Sequence, residues 1–334
     1  MCTSWVLNTN GDPLSIVRDF LSDLWPYAGI EAMLVPGFQP EEKVITLQLM
    51  ENPLQLGQAH PLIPFVPLNA AKKVFELSQA HPQARFAAVL RSCEARALRK
   101  MHTRYPNRFE NWFIIGIDCL NSFPIEDLEW RLDKAGGADG LQRDNLRFAR
   151  LGGIAPYRYR RSCQMCVDPS AQQANLYISL LGLPVRQFIL VKVEDVAIAD
   201  AMHLDQITDG PATISQIVQH ENLLHILGYR RDRCRERMVS GLADDLPRGA
   251  IGFVNLIEKC APCQKCLEAC PLYSGELEGI SDYNLSMNGE IRNWLAACIS
   301  CGMCEQACPN QLPLTAIHLR ILQELAPQSL LAFA

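Results

Sequence analysis

Eight cysteines in two copies of one spacing constrain this chain more than any other feature: Cys260-x2-Cys263-x2-Cys266-x3-Cys270-Pro271, then Cys298-x2-Cys301-x2-Cys304-x3-Cys308-Pro309. Thiolates at i, i+3 and i+6 reach three corners of one iron–sulfur cubane. Where two such runs occur together, the fourth cysteine of each reaches the other cluster. The spacing predicts one [4Fe–4S] cluster on Cys260, Cys263, Cys266 and Cys308, and a second on Cys298, Cys301, Cys304 and Cys270. Structural zinc takes Cys pairs or Cys/His mixtures at separated spacings, and disulfide frameworks belong to small secreted chains. Neither matches four cysteines in eleven residues closed by a proline.

The 27 residues from Pro271 to Ala297 that separate the runs are too many for a compact ferredoxin hairpin. Residues 289–297 read as helical. So do residues 314–324, where Ile317, Leu319, Ile321, Leu322 and then Leu325 recur near helical spacing. The expectation is a mainly α, helical dicluster ferredoxin domain over residues 246–334.

With 334 residues, 49% of them hydrophobic, the chain has room for a second domain with its own core, placed at residues 1–245. No apolar run approaches the roughly 20 residues of a membrane span, and the Met1-Cys2-Thr3-Ser4-Trp5 start lacks the charged and apolar parts of a secretory signal. The expected location is soluble and cytoplasmic. Fourteen cysteines there read as metal ligands rather than disulfides. A net charge of −5 opposes non-specific nucleic-acid binding. Each thiolate-bound cluster adds about −2 more, so basic residues are expected beside the clusters.

In chain order, Asp12-Pro13 reads as a helix start, with an apolar stripe to about Trp25. Strand-like runs follow at 31–35 and 44–49, then a proline-marked loop from Pro61 to Pro67 and a helix from Asn69 to before His81-Pro82. A buried strand at 86–90 runs into Cys93, a helix covers 94–104, and a strand at 113–117 runs into Cys119. Continuously apolar strands joined by a helix predict an α/β domain with a mainly parallel sheet, whose sites lie beyond the carboxyl ends of the strands. Both cysteines stand at those ends. Residues 134–144 read as a surface excursion, and Tyr157 to Arg161 alternate as a strand would. Residues 187–193 form another strand, a long helical region from Thr213 is interrupted near Gly228, and residues 240–250 link the domains.

Cys93, Cys119, Cys163 and Cys166 leave two readings open. They are four ligands of a third [4Fe–4S] cluster, or two buried thiols acting as small hydrophobes beside a redox Cys-x2-Cys. Cys2 and Cys234 have no motif around them and read as free thiols. Between Arg85 and Arg161 there are 15 Lys/Arg against 9 Asp/Glu. That excess suits a counter-charge for a cluster, a docking face for an acidic partner or phosphate group, or an ordinary solvated face. No Ser/His/Asp or paired-carboxylate arrangement points to catalysis by side chains.

The stretches from Arg91 to Leu98, Ile114 to Cys119 and Arg161 to Cys166, with the C-terminal cluster runs, resemble the beta-subunit family of the deazaflavin-coenzyme (F420) hydrogenases and formate dehydrogenases. The resemblance implies that Cys93, Cys119, Cys163 and Cys166 hold a third cluster close to a flavin. It also implies a catalytic oxidoreductase partner: a formate dehydrogenase, a hydrogenase or a heterodisulfide-reductase-like complex. Where the family carries glycine-rich elements, this chain has Asn10-Gly11-Asp12, then Pro64-Phe65-Val66-Pro67-Leu68, and then residues 174–184. Two functions follow: an iron–sulfur electron-transfer subunit with FAD that exchanges hydride with a deazaflavin or nicotinamide, or a flavin-free cluster relay and docking subunit.

Overall fold

The computed structural model describes residues 3–153, 158–244, 246–260, 263–273 and 294–325. The N-terminal part is built on one seven-stranded sheet of β1 (Thr3–Asn8), β2 (Ala32–Gln39), β3 (Val44–Met50), β4 (Phe86–Arg91), β5 (Trp112–Ile117), β6 (Leu176–Ser179) and β7 (Phe188–Val193). Its order is β1-β7-β6-β5-β4-β2-β3. The four central strands are parallel neighbours, whereas β1 against β7, β7 against β6 and β3 against β2 are antiparallel. The α/β class with a mostly parallel centre therefore stands.

Helices cover both faces because the central strands are apolar on both. On one face α1 (Pro13–Ala28) places Leu14, Val17, Leu21 and Leu24 into the larger core. On the other, α2 (Ala70–Ala80) and α3 (Ser92–Arg104) bury Val74, Phe75, Ala95 and Leu98. The expected helix starts are present. Asp12 caps α1 ahead of Pro13, and the Asn69 side chain accepts from the Ala71 N–H at 3.1 Å.

Three expectations are corrected. Residues 134–144 are not a surface excursion: α4 (Leu128–Ala135) and α5 (Ala138–Leu146) bury Leu132, Leu141, Gln142 and Leu146. Gly136 and Gly137 there end one helix and start the next, which is helix punctuation rather than loop composition. Residues 158–161 form no strand. The Arg160 N–H donates to the Ser122 carbonyl at 2.9 Å, and Arg161 opens the short α6 (Arg161–Gln164). Tyr157 lies outside the described residues. Between α7 (Val196–Ala201), α8 (Leu204–Ile207) and the C-terminal part, α9 (Ile214–Ser240) runs through Gly228 without a break. A Cβ on Gly228 would meet only the Val167 carbonyl oxygen, at 3.4 Å, an ordinary contact.

The C-terminal part comprises α10 (Gly249–Cys260), α11 (Lys265–Glu268), a helical turn at 294–297, α12 (Met303–Ala307) and α13 (Leu314–Leu325). The rest of the helix expected at 289–297 lies outside the described residues. Phe253, Leu295, Leu314, Ile317 and Ile321 form a separate small core. Arg320 holds the connecting segment by donating to the carbonyls of Leu246 (2.6 Å) and Pro247 (2.7 Å). The two parts are docked: Gln306 donates to the Val66 carbonyl at 3.1 Å and Lys72 to that of Glu268 at 2.7 Å.

Candidate metal centres

The two C-terminal runs fold as matched turns. The residue after the second cysteine of each run, Gln264 and Gly302, is left-handed (φ 45° and 71°), which turns the chain back between the second and third thiols. Cys270, Cys298, Cys301 and Cys304 line one cavity of about 390 Å³ with Trp294, Thr315 and His318. Burial pushes Cys298 up to about 11, and burial with Cys270 alongside pushes Cys301 up to about 12. The partner group is more open. Cys260 is raised by burial and by Cys308 and Cys263, and Cys266 is pushed up to about 11 by burial and by Cys308 and Cys260. The fourth cysteine of each run thus stands with the first three of the other.

A third group of thiols stands at the carboxyl ends of β4 and β5. Cys93 sits in the first turn of α3, and Cys119 follows β5. α6 and the loop after it bring Cys163 and Cys166 to them because that loop is pinned to both elements. The Cys119 N–H donates to the Pro169 carbonyl at 2.8 Å, Ser92 Oγ donates to that of Asp168, and Arg96 donates to the same oxygen at 2.7 Å. Gly116 admits this loop, since a Cβ there would lie 2.4 Å from the Ala171 carbonyl oxygen. The four cysteines line a cavity of about 330 Å³, comparable to the C-terminal one, and Cys301 forms part of its wall. Burial, with Glu94, Cys119 and Cys301 beside it, pushes the Cys93 thiol well up; burial and Cys163 push Cys119 up to about 12.

Two arginines of the basic stretch, Arg91 and Arg96, stand here with Arg231. Arg96 Nη2 approaches Cys166 Sγ at 3.6 Å, and Arg231 donates to the Cys166 carbonyl at 3.0 Å. Arg91 is buried and donates to the carbonyls of Ile63 and Phe65. Burial works against the Arg96 charge, yet Cys166 and Cys93 raise its pKa on balance.

Residues 254–309 match the family described as a 4Fe-4S dicluster domain. The chain carries a dicluster domain. No protein of curated function matches the sequence. One solved structure with a similar fold is a chain in the xenon-derivatized F420-reducing [NiFe] hydrogenase complex from Methanosarcina barkeri. It is 14% identical, with a TM-score of 0.51 over 72% of this chain and 91% of that one.

The donor chemistry of all three groups fits a cubane. Thiols gathered this closely take on thiolate charge together most readily with a cation among them, as iron would be. Among the described residues no three His, Cys, Asp or Glu side chains converge on one point as ligands of a single ion. Cubane ligands stand at separate corners and need no such convergence. Every described cysteine is a free thiol, including the half-buried Cys234; Cys2 lies outside the described residues.

The three stretches that stand where the family carries glycine-rich elements do not fit a dinucleotide. The N-terminus of α1 is taken by the Asp12 carboxylate, which also pairs with Arg143 at 2.9 Å, and Glu94 Oε1 accepts from the Ala70 N–H at the start of α2 (3.2 Å). Carboxylates at these positions repel phosphate, which binds free N–H groups at helix starts. Phe65 and Val66 are buried, and residues 176–179 are β6, paired on both sides. Phe65, Phe123, Leu132, Leu141 and Tyr159 pack together as a small core beside these segments.

Sequence reasoning missed Asp118, Arg160, Gly302 and His318 as parts of these centres. His318 Nδ1 lies 3.5 Å from Cys298 Sγ, and burial lowers its pKa to about 4. Only the adjacency of Asp118 to Cys119 and the place of Arg160 three residues before Cys163 offered a signal. No helix among the described residues is long and apolar enough to cross a membrane.

Proposed function

We propose that this chain is an iron–sulfur electron-transfer subunit of a larger oxidoreductase. It would hold [4Fe–4S] clusters on Cys93/Cys119/Cys163/Cys166, on Cys270/Cys298/Cys301/Cys304 and on Cys260/Cys263/Cys266/Cys308. The observation that carries this reading is the succession of the three thiol groups: Cys301 belongs to the middle group and walls the cavity of the N-terminal one. Electrons would pass singly from one end to the other. The protein's part is to hold the clusters, exclude water around the inner two and set their charge environment.

The flavin-free relay is the form we infer: at the positions of the family's glycine-rich elements this chain sets carboxylates on two helix starts and buries Phe65 and Val66. The catalytic partner would be a hydrogenase, a formate dehydrogenase or a heterodisulfide-reductase-like subunit; the fold shared with a chain of a hydrogenase complex supports that class. Residues 1–245 and 246–334 would act as the two domains, in the cytoplasm.

Iron analysis of anaerobically purified protein tests the reading. About twelve iron atoms per chain are expected from three four-iron clusters. Cys93→Ser or Cys163→Ser should remove about four of them and leave the dicluster pair. Zinc in place of iron would overturn the proposal. Flavin released on acid denaturation would overturn the flavin-free form alone.

A further inference from the structure

Arg160 lies between two of the thiol groups and belongs to neither. It is buried, 8% exposed, and reaches across the junction of the two parts of the chain. Its Nη2 donates to the Cys301 carbonyl and, at 3.3 Å, to Ser162 Oγ; its Nη1 donates to Gln306 Oε1 at 2.9 Å and approaches Met303 Sδ at 3.7 Å. Burial opposes its charge, but the neighbouring sulfurs of Cys163, Cys93, Cys301 and Cys119 raise its pKa on balance. Three of those sulfurs belong to the N-terminal group and one to the middle group. No carboxylate pairs with Arg160 among the described residues, whereas Arg161 beside it faces Glu305 at 3.7 Å. A buried guanidinium satisfied by neutral acceptors and surrounded by sulfur is uncompensated unless the thiol sites carry negative charge.

We propose that Arg160 is the shared counter-charge of the N-terminal and middle centres and holds their reduction potentials up together. The inference rests on the three-cluster reading. Reduction adds one electron to a cluster that is already anionic, so a fixed cation in a water-poor site stabilises the reduced form. One cation close to both clusters shifts both the same way, keeping the step between them shallow. The third centre, on Cys260, Cys263, Cys266 and Cys308, supplies none of the sulfurs that raise the Arg160 pKa most and should respond least.

The test is an anaerobic redox titration followed by electron paramagnetic resonance, with iron analysis, on the full chain and its Arg160→Gln and Arg160→Lys variants. Signals are assigned by Cys93→Ser, Cys298→Ser and Cys260→Ser. Expected is an R160Q protein with about twelve iron atoms, lowered potentials at the N-terminal and middle centres, the smallest shift at the Cys260 centre, and R160K close to wild type. If R160Q loses the N-terminal iron while R160K keeps it, the need for charge is supported. Unchanged potentials in R160Q, equal shifts at all three centres, or equal effects of R160Q and R160K would overturn the inference. Wild-type protein with about eight iron atoms would instead overturn the three-cluster reading beneath it.

Discussion

Gly302→Ala tests the close approach of the dicluster domain to the N-terminal thiol group. Gly302 has φ 71°, and a Cβ there would lie 2.2 Å from Ser162 Oγ and 2.4 Å from Ser162 Cβ. A left-handed backbone costs an L-residue about 1–2 kcal/mol. Ser162 Cβ is fixed to the backbone of α6 and cannot swing aside, so overpacking adds about 1–3 kcal/mol. The expected loss is therefore about 2–5 kcal/mol. Gly136→Ala is the internal control: its φ is 70° but no atom lies within 4 Å of its Cβ position, so only the backbone cost of about 1–2 kcal/mol applies. Anaerobic urea unfolding followed by far-ultraviolet circular dichroism measures both, with the G302A midpoint expected well below that of G136A. Ser162→Gly removes both colliding atoms, so the double variant should recover about 1–3 kcal/mol relative to additivity. Equal losses for G302A and G136A, or additive behaviour of the double variant, would refute the contact argument.

Two further perturbations address the scaffold. Asp118 Oδ2 accepts from the buried N–H groups of Leu180 (2.8 Å) and Leu181 (3.0 Å), tying the end of β5, and with it Cys119, to β6. Asp118→Ala leaves two buried donors unpaired at about 1–3 kcal/mol each, while Asp118→Asn keeps an acceptor and should cost less; denaturant midpoints separate the two, and equal losses would count against this role. His60 has its pKa lowered to about 4 by burial first and by Arg18 second, against Asp139. Between an unfolded value of about 6.5 and a folded value near 4, the unfolded chain binds more protons. Stability should fall as pH drops through that window, and His60→Gln should flatten the slope between pH 7 and pH 5. An unchanged slope would show that His60 does not carry the effect.

The amino-acid order alone determined the dicluster domain, because cubane ligation depends on local spacing: the first three thiols of each run lie within seven residues of one another. It also determined the parallel centre of the sheet, since continuously apolar strands need cover on both faces. The capped starts of α1 and α2 were equally local. Strands β1 and β6 were not legible: β1 pairs with β7 from the far end of the domain, and β6 is four residues long. The glycines at 136, 137 and 228 misled because composition cannot distinguish a helix end, or a glycine carried within a helix, from a loop. Tertiary structure alone decided that Cys93, Cys119, Cys163 and Cys166 share one cavity, that Cys301 forms its wall, and that one buried arginine lies between two thiol groups. Each of these depends on contacts between distant segments, set by packing across the sheet and between the two parts of the chain rather than by any local pattern.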